Sequence, residues 1–255
     1  MTVEISGGEI QKAGSLLKSA RHAVVLTGAG ISTPSGIPDF RSQGSGLWSK
    51  DNPMEVASLS AFRHSPDRFF AWLRPLVAQI ARADPNPAHQ ALADLEKAGL
   101  VKAVITQNID GLHQAAGSQA VLELHGSTRS LTCLSCRTSY LMDQFLEEYV
   151  VQGKLPYCRN CGKLLKPDIV LFEEMLPASV WQPAEAHCRQ ADLVLVVGSS
   201  LEVSPAGGLP WTAFQYGAQL IILNFTPTYL DSHASVVLHA DAAEILPLMA
   251  VHAMS

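Results

Sequence analysis

The sequence predicts an α/β protein in which a parallel sheet, covered on both faces, carries a smaller metal-binding module. Three observations point that way. Short apolar runs rich in β-branched residues alternate with helix-like stretches, the pattern of strands joined by crossover helices. A glycine-bearing stretch, residues 28–42, follows the first of those runs directly. Two C-x-x-C pairs, Cys133/Cys136 and Cys158/Cys161, interrupt the alternation.

Taken in order, Ile10, Ala13, Leu16, Leu17 and Ala20 share one helical face, so an amphipathic helix precedes the strand at residues 23–27. Gly28 and Gly30 then permit a tight turn and a close backbone approach, as a pyrophosphate resting on exposed N–H groups requires. Thr33 stands where a third glycine would complete G-x-G-x-x-G, and two glycines after a strand also make an ordinary turn. The following G-I-P-D-F-R, residues 36–41, adds an acid, an aromatic ring and an arginine able to meet base, ring and phosphate of one dinucleotide. Beyond Pro34 the chain reads as a long ligand-covering loop, then as helices of a smaller module with Phe62, Phe69, Phe70 and Trp72 in their core.

Asn86 caps the next helix, Pro87 suits its first turn and Gly99 ends it. Ala88, Leu92 and Leu95 face the core, and His89 takes a structural or solvated role. Strands at residues 101–106 and 121–124 deliver Q-N-I-D-G-L-H, residues 107–113, and then His125-Gly126. After the cysteines, residues 169–172, 193–197, 220–223 and 236–238 read as strands, and 177–190 and 210–216 as helices. Gly28, Asn108, His125, Gly198-Ser199-Ser200, Asn224 and Asp241 each fall at or just past the carboxyl end of an apolar run. In a parallel sheet those ends share one edge, where ligands bind.

The cysteine quartet supplies four thiolates at a spacing suited to tetrahedral zinc, with an iron–sulfur cluster or a redox dithiol as rivals. Four thiolates leave no open position, so such a metal is structural. Cys188 reads as a small buried residue. His125 is the candidate acid or base, since imidazole titrates near neutrality. Asn108, Asp110 and Asp39 can read a carboxamide such as that of nicotinamide, although Asn-x-Asp-Gly is also good turn chemistry, and His113 can simply close that loop.

A formal charge of -5 gives no basic surface for nucleic acid. No apolar run reaches the ~18 residues of a membrane span. The early acids show no leader-like core, and five cysteines without a secretory context suit a reducing compartment, so the cytoplasm is expected. Composition leaves the oligomeric state open.

The stretches G-A-G-I-S, G-I-P-D-F-R, T-Q-N-I-D-G-L-H, H-G ahead of the cysteines, K-P-D-I-V, G-S-S-L-E-V and N-F-T-P-T closely resemble sirtuins of bacterial or archaeal type over nearly the whole chain. The resemblance implies a Rossmann-like NAD-binding domain of residues 1–35, 81–125 and 166–255. It also implies a small module with a helical part, 36–80, and a zinc-binding part, 126–165. NAD and an acyl-lysine peptide would meet between them. By motif, Gly28, Ala29, Gly30, Phe40, Arg41, Gln107, Gly198, Ser199, Ser200, Asn224 and Ala242 would hold NAD. Ile37, Asn108 and Asp110 would line the nicotinamide pocket with Asp39 near it, His125 would be the general base, and Asn108 would join it in catalysis. Val170, Phe172, Leu201 and Val203 would flank the peptide, paired as an added strand.

The activity implied is NAD-dependent removal of acyl groups from lysine, deacetylation first, releasing nicotinamide and O-acyl-ADP-ribose. Transfer or hydrolysis of ADP-ribose at the same site, and a non-enzymatic sensor, are the alternatives. Glu173 departs from the F-G-E read in many sirtuins and is expected to put charge where the peptide lies. The helix after the loop has Arg68 and Arg74 but none of the Tyr-x-x-Arg of succinyl-selective relatives, so neutral acyl groups are expected.

Overall fold

The structure, a computed structural model, describes residues 7–40, 44, 46–49 and 51–255. Among these residues the strands are β1 (Ala23–Thr27), β2 (Val101–Thr106), β3 (Val121–Glu123), β4 (Gly126–Cys133), β5 (Ser139–Leu141), β6 (Leu165–Ile169), β7 (Leu193–Val197), β8 (Gln219–Leu223) and β9 (Val236–Leu238). The helices are α1 (Gly7–Ser19), α2 (Pro53–Val56), α3 (Leu59–His64), α4 (Pro66–Ile80), α5 (Pro87–Lys97), α6 (Leu112–Ala115), α7 (Ala178–Gln190), α8 (Leu209–Gln215) and α9 (Ala242–Met254).

β1 and β7 are buried along their whole length, which is why both read as continuous apolar runs rather than alternating ones. They are the central pair of a six-stranded parallel sheet in the order β3-β2-β1-β7-β8-β9. The chain moves outward from β1 to β3, returns, and then moves outward on the other side from β7 to β9. The loops after β1 and β7 therefore diverge, and a crevice opens between them. Register makes the strand ends flush: Thr27 is level with Thr106 and Val197, Val197 with Leu223, and Leu223 with Leu238.

Alternate residues of β1 point to opposite layers. Ala23 and Val25 join the core under α1, α5 and α9, while Val24 and Leu26 join the core under α7 and α8. The Asn86 side chain caps α5 through the Ala88 N–H, and His89 Nδ1 accepts from the Asn86 N–H in return, a reciprocal cap of about 1 kcal/mol. Gly99 follows in the left-handed region, as its sequence position predicts.

One strand expectation is overturned. Residues 169–172 do not enter the parallel sheet. β6 ends at Ile169 and pairs antiparallel with β4, whose other neighbour is β5. The small sheet thus runs past the division drawn at residue 165. β4 starts directly after His125 and claims Ile169 as the partner of Gly126. Beyond it, the Val170 N–H goes to the His125 carbonyl and Phe172 bridges to Ser58. An apolar run alone does not say which sheet it joins. The cysteine-bearing sheet and helices α3 and α4 share one core, with Phe62, Phe69, Phe70, Leu131, Phe145 and Tyr149 packed together. Among the described residues no helix is long and apolar enough to cross a membrane.

Candidate active site

A cavity of about 980 Å³ lies where the carboxyl edge of the parallel sheet meets the small module. Gly28, Ala29 and Gly30 follow β1 into its wall, Gln107 and Asn108 follow β2, and His125 follows β3. Gly198, Ser199 and Ser200 arrive after β7 and Asn224 after β8. Asp39, Phe40, Val170, Phe172 and Val203 line it as well. Ile37, Asp110, Leu201 and Ala242 lie off the wall, Ile37 in the core of the small module and Ala242 at the start of α9. Asp241 follows β9 to the same edge as expected, but it caps α9 through the Ala243 N–H and does not line the cavity. Arg41 lies outside the described residues.

The glycines serve packing here more than amide donation. The Gly28 N–H is spent on the Val197 carbonyl and the Gly30 N–H on the Gly198 carbonyl. A Cβ on Gly30 would sit 2.8 Å from the Gly198 Cα, and one on Gly198 would sit 2.3 Å from the Ile31 nitrogen. The turns after β1 and β7 interlock, and only glycine leaves the floor of the crevice open and flat. Such a floor fits a dinucleotide pyrophosphate.

His125 is held by one nitrogen. Nδ1–H donates to the Gln107 carbonyl at 2.8 Å, which leaves Nε2 as the basic atom. Burial lowers its pKa, opposed by that hydrogen bond, so the ring is a neutral base near pH 7. The next residue, Gly126, has φ +73°, and a Cβ there would lie 2.0 Å from the Asp168 carbonyl. The histidine thus sits where β4 turns abruptly toward β6.

Beneath the wall runs a polar network that the sequence reading saw only in pieces. Asn108 Nδ2 donates to Ser32 Oγ at 3.1 Å, and Ser32 Oγ donates to Asp110 Oδ2 at 2.7 Å. Asp110 Oδ1 accepts the Leu112 N–H, so this acid fixes Asn108 from behind rather than facing the cavity. The Asn108 N–H reaches Thr106 Oγ1, which also accepts from Thr27 Oγ1. The Thr27 proton being committed, His113 Nε2–H donates to Thr27 at 2.9 Å. His89 meets Ser32 at 3.4 Å and stacks edge-on against His113. Burial first pulls His113 down to about 3 and His89 to about 4, so both rings are neutral. Ser32, Thr27 and Thr106 gave no signal beyond ordinary strand-end and turn residues.

The opposite wall is aromatic. Trp48 stacks on Trp72 at 5.5 Å and meets Phe40 and Phe172. Phe62, Phe69 and Phe70 are core, as expected, but Trp72 lines the cavity with Leu73 and Leu76. Glu173 does not place its charge freely in the cleft. Its Oε2 accepts the Ser60 N–H at 2.8 Å, in the first turn of α3. The backbone beside it is clasped too, Phe172 N–H to the Ala57 carbonyl and Leu59 N–H to the Phe172 carbonyl. The Lys166 ammonium is buried below this segment, donates to the Ile169 carbonyl at 2.7 Å and pairs with Glu174 at 2.9 Å.

Cys133, Cys136, Cys158 and Cys161 bring their Sγ atoms within 4.8 Å of one another. Zn–S bonds of about 2.3 Å in a tetrahedron need S···S separations of about 3.8 Å, so the quartet fits zinc with shifts of about 1 Å or less. Cys188 is buried among α7 and α8 residues, as expected.

Crevice, glycine floor and thiolate module together define a dinucleotide-binding α/β protein with a structural metal centre. The chain belongs to the Sir2 family, the sirtuins, whose profile matches residues 28–205. It is 48% identical over 240 residues to NAD-dependent protein deacylase 2 of Archaeoglobus fulgidus, with 94% of each chain covered. It is 46% identical to the NAD-dependent protein deacetylase of Sulfurisphaera tokodaii, again over 94% of each. Among solved structures, Sir2Af2 bound to a myristoylated histone peptide superposes with a TM-score of 0.83 at 42% identity, covering 97% of both chains.

Proposed function

We propose that this protein removes acyl groups from lysine side chains of proteins and consumes NAD in doing so, with nicotinamide and O-acyl-ADP-ribose as products. The carrying observation is that His125, its Nδ1 tied to the Gln107 carbonyl, shares one cavity with the glycine floor and with the apolar arm of Trp72, Leu73 and Leu76. Gly28, Ala29, Gly30, Phe40, Gln107, Gly198, Ser199, Ser200 and Asn224 hold the dinucleotide in this reading, with Asn108 and Asp39 beside its carboxamide. Asp110 and Ile37 act from behind, through Ser32 and through packing. The acyl oxygen would attack the anomeric carbon as neutral nicotinamide departs; His125 Nε2 would then take a proton from a ribose hydroxyl so that its oxygen adds to the acyl carbon, the lysine amine leaves as its C–N bond breaks, and water completes the O-acyl ester.

The peptide enters beside Val170, Glu173 and Val203. The backbone of Phe172 is already paired to residues 57 and 59, so a substrate strand uses its neighbours. We place the protein in the cytoplasm, where a reducing medium keeps the thiols free for zinc. Incubation with NAD and an acetyl-lysine peptide tests the reading. Nicotinamide release must depend on the peptide; release without it points to ADP-ribose transfer or hydrolysis, and no release points to a sensor.

A further inference from the structure

Asn224 enters the cavity at the head of the loop after β8, followed by Phe225, Thr226 and Pro227 on the same wall. His239, next after β9, stands behind that loop. Its Nδ1–H donates to the Asn224 carbonyl at 2.8 Å, and its Nε2 meets Asp231 Oδ2 at 3.1 Å. Asp231 Oδ1 in turn accepts the Thr228 N–H at 3.0 Å and the Thr228 hydroxyl at 2.6 Å. One imidazole therefore ties the first residue of the loop to its last turn. The span between is held further by Asn224 Nδ2, which donates to the Thr226 carbonyl at 2.8 Å, by the Tyr229 hydroxyl on the Gly207 carbonyl at 3.0 Å and by buried Leu230, while Phe225 is 61% exposed.

We propose that His239 is a positioning residue for the dinucleotide end of the cavity, setting the affinity for NAD by bracing residues 224–231 without touching the ligand. This rests on the reading that Asn224 faces NAD. Distance separates the brace from the chemistry. His125 follows β3 and Asn224 follows β8, four strand spacings apart in the sheet, or roughly 19 Å. A loosened loop then costs dinucleotide binding and spares the peptide side.

The experiment combines calorimetric titration with ADP-ribose, which needs no turnover and no peptide, with steady-state kinetics on NAD and an acetyl-lysine peptide. His239→Ala is expected to weaken ADP-ribose binding and raise the NAD KM by roughly threefold to thirtyfold, with kcat at saturating NAD and the peptide KM held within about twofold. Asp231→Ala removes the carboxylate that faces His239 Nε2, so it should move ADP-ribose binding in the same direction. It also supplies the answer if His239→Ala does not fold. Asn224→Ala tests the underlying reading separately. Weaker ADP-ribose binding in Asn224→Ala with none in His239→Ala overturns the brace alone. No change in Asn224→Ala overturns the placement of NAD and the brace with it. Losses of kcat or peptide affinity that match the NAD effect show general damage and also overturn the proposal.

Discussion

His125 works through one nitrogen because the Gln107 carbonyl occupies the other. Removing the base in His125→Ala should cost about 10²–10⁴-fold in deacylation while ADP-ribose binding persists, read by steady-state assay and calorimetry. Burial holds its pKa below the ordinary histidine value, so the neutral base survives mild acid, and the acid limb of kcat/KM is expected below pH ~6.5. The two deeper histidines act on stability instead. In the folded protein His89 and His113 titrate at about 4 and about 3, so the unfolded chain takes up their protons first. Their contribution is fully present above pH ~6.5 and is lost as pH falls toward those folded values. Urea midpoints should therefore drop between pH ~6.5 and ~4.5, and His113→Gln should flatten that slope; a midpoint constant across the window contradicts the buried-neutral assignment. The sequence alone left His113 as a loop residue and His89 as structural or solvated. Their burial follows from α5 and α6 packing behind β2, which no local pattern reveals.

At the level of elements, the Glu173 carboxylate adds a side-chain tether to the clasp between residues 57–60 and 171–173. Glu173 has φ +75°, a left-handed conformation costing about 1 kcal/mol, yet its carboxylate holds the Ser60 N–H. Glu173→Ala loses the tether and keeps the strain, whereas Glu173→Gly loses the tether and relieves it. Thermal midpoints should rank wild type, then Gly, then Ala; an alanine variant as stable as wild type would show the tether to be idle. Cys133→Ser should release the metal and unfold the three-stranded sheet, detected by metal analysis and loss of the Phe69–Tyr149 core. The reading of residues 169–172 as a parallel strand failed on a point of physics, because β-branched runs pair equally well in either sheet. Helix α9 went unread for a related reason. It has Ile245, Leu246 and Met249 buried but also Leu248 and Val251 exposed, so its apolar pattern has no clear face.

Across the whole molecule, the apolar arm of the cavity draws on both parts of the small module. Trp72, Leu73 and Leu76 come from α4, Ile169 and Leu171 from the cysteine-bearing side. Arg68 is paired with Glu55 at 2.6 Å, and Arg74 donates to the Gly153 carbonyl beside the Tyr149 ring, so neither arginine lines the cavity. Among the described residues no cation lines the cavity, so a succinyl carboxylate would find no partner there, while each buried methylene of a neutral chain gains ~0.8 kcal/mol. On one peptide, kcat/KM should favour acetyl and butyryl over succinyl lysine, and a succinyl preference would refute this pocket. The strand-end residues of the site were legible because flush parallel strands make carboxyl ends coincide. Trp48, Trp72 and the His239–Asp231 contact were not, since each depends on how segments outside the sheet fold back over it. The interlocked turns carry a last implication, for how such an enzyme changes over generations. Gly28, Gly30 and Gly198 are each blocked by the main chain of the facing turn, so no substitution at one is rescued by a change at another. Variation there has no first step. A library randomised at these three positions and selected for activity should return only glycine, while one at residues 224–227 should return many answers, so a new dinucleotide preference can be reached through that loop and not through the floor.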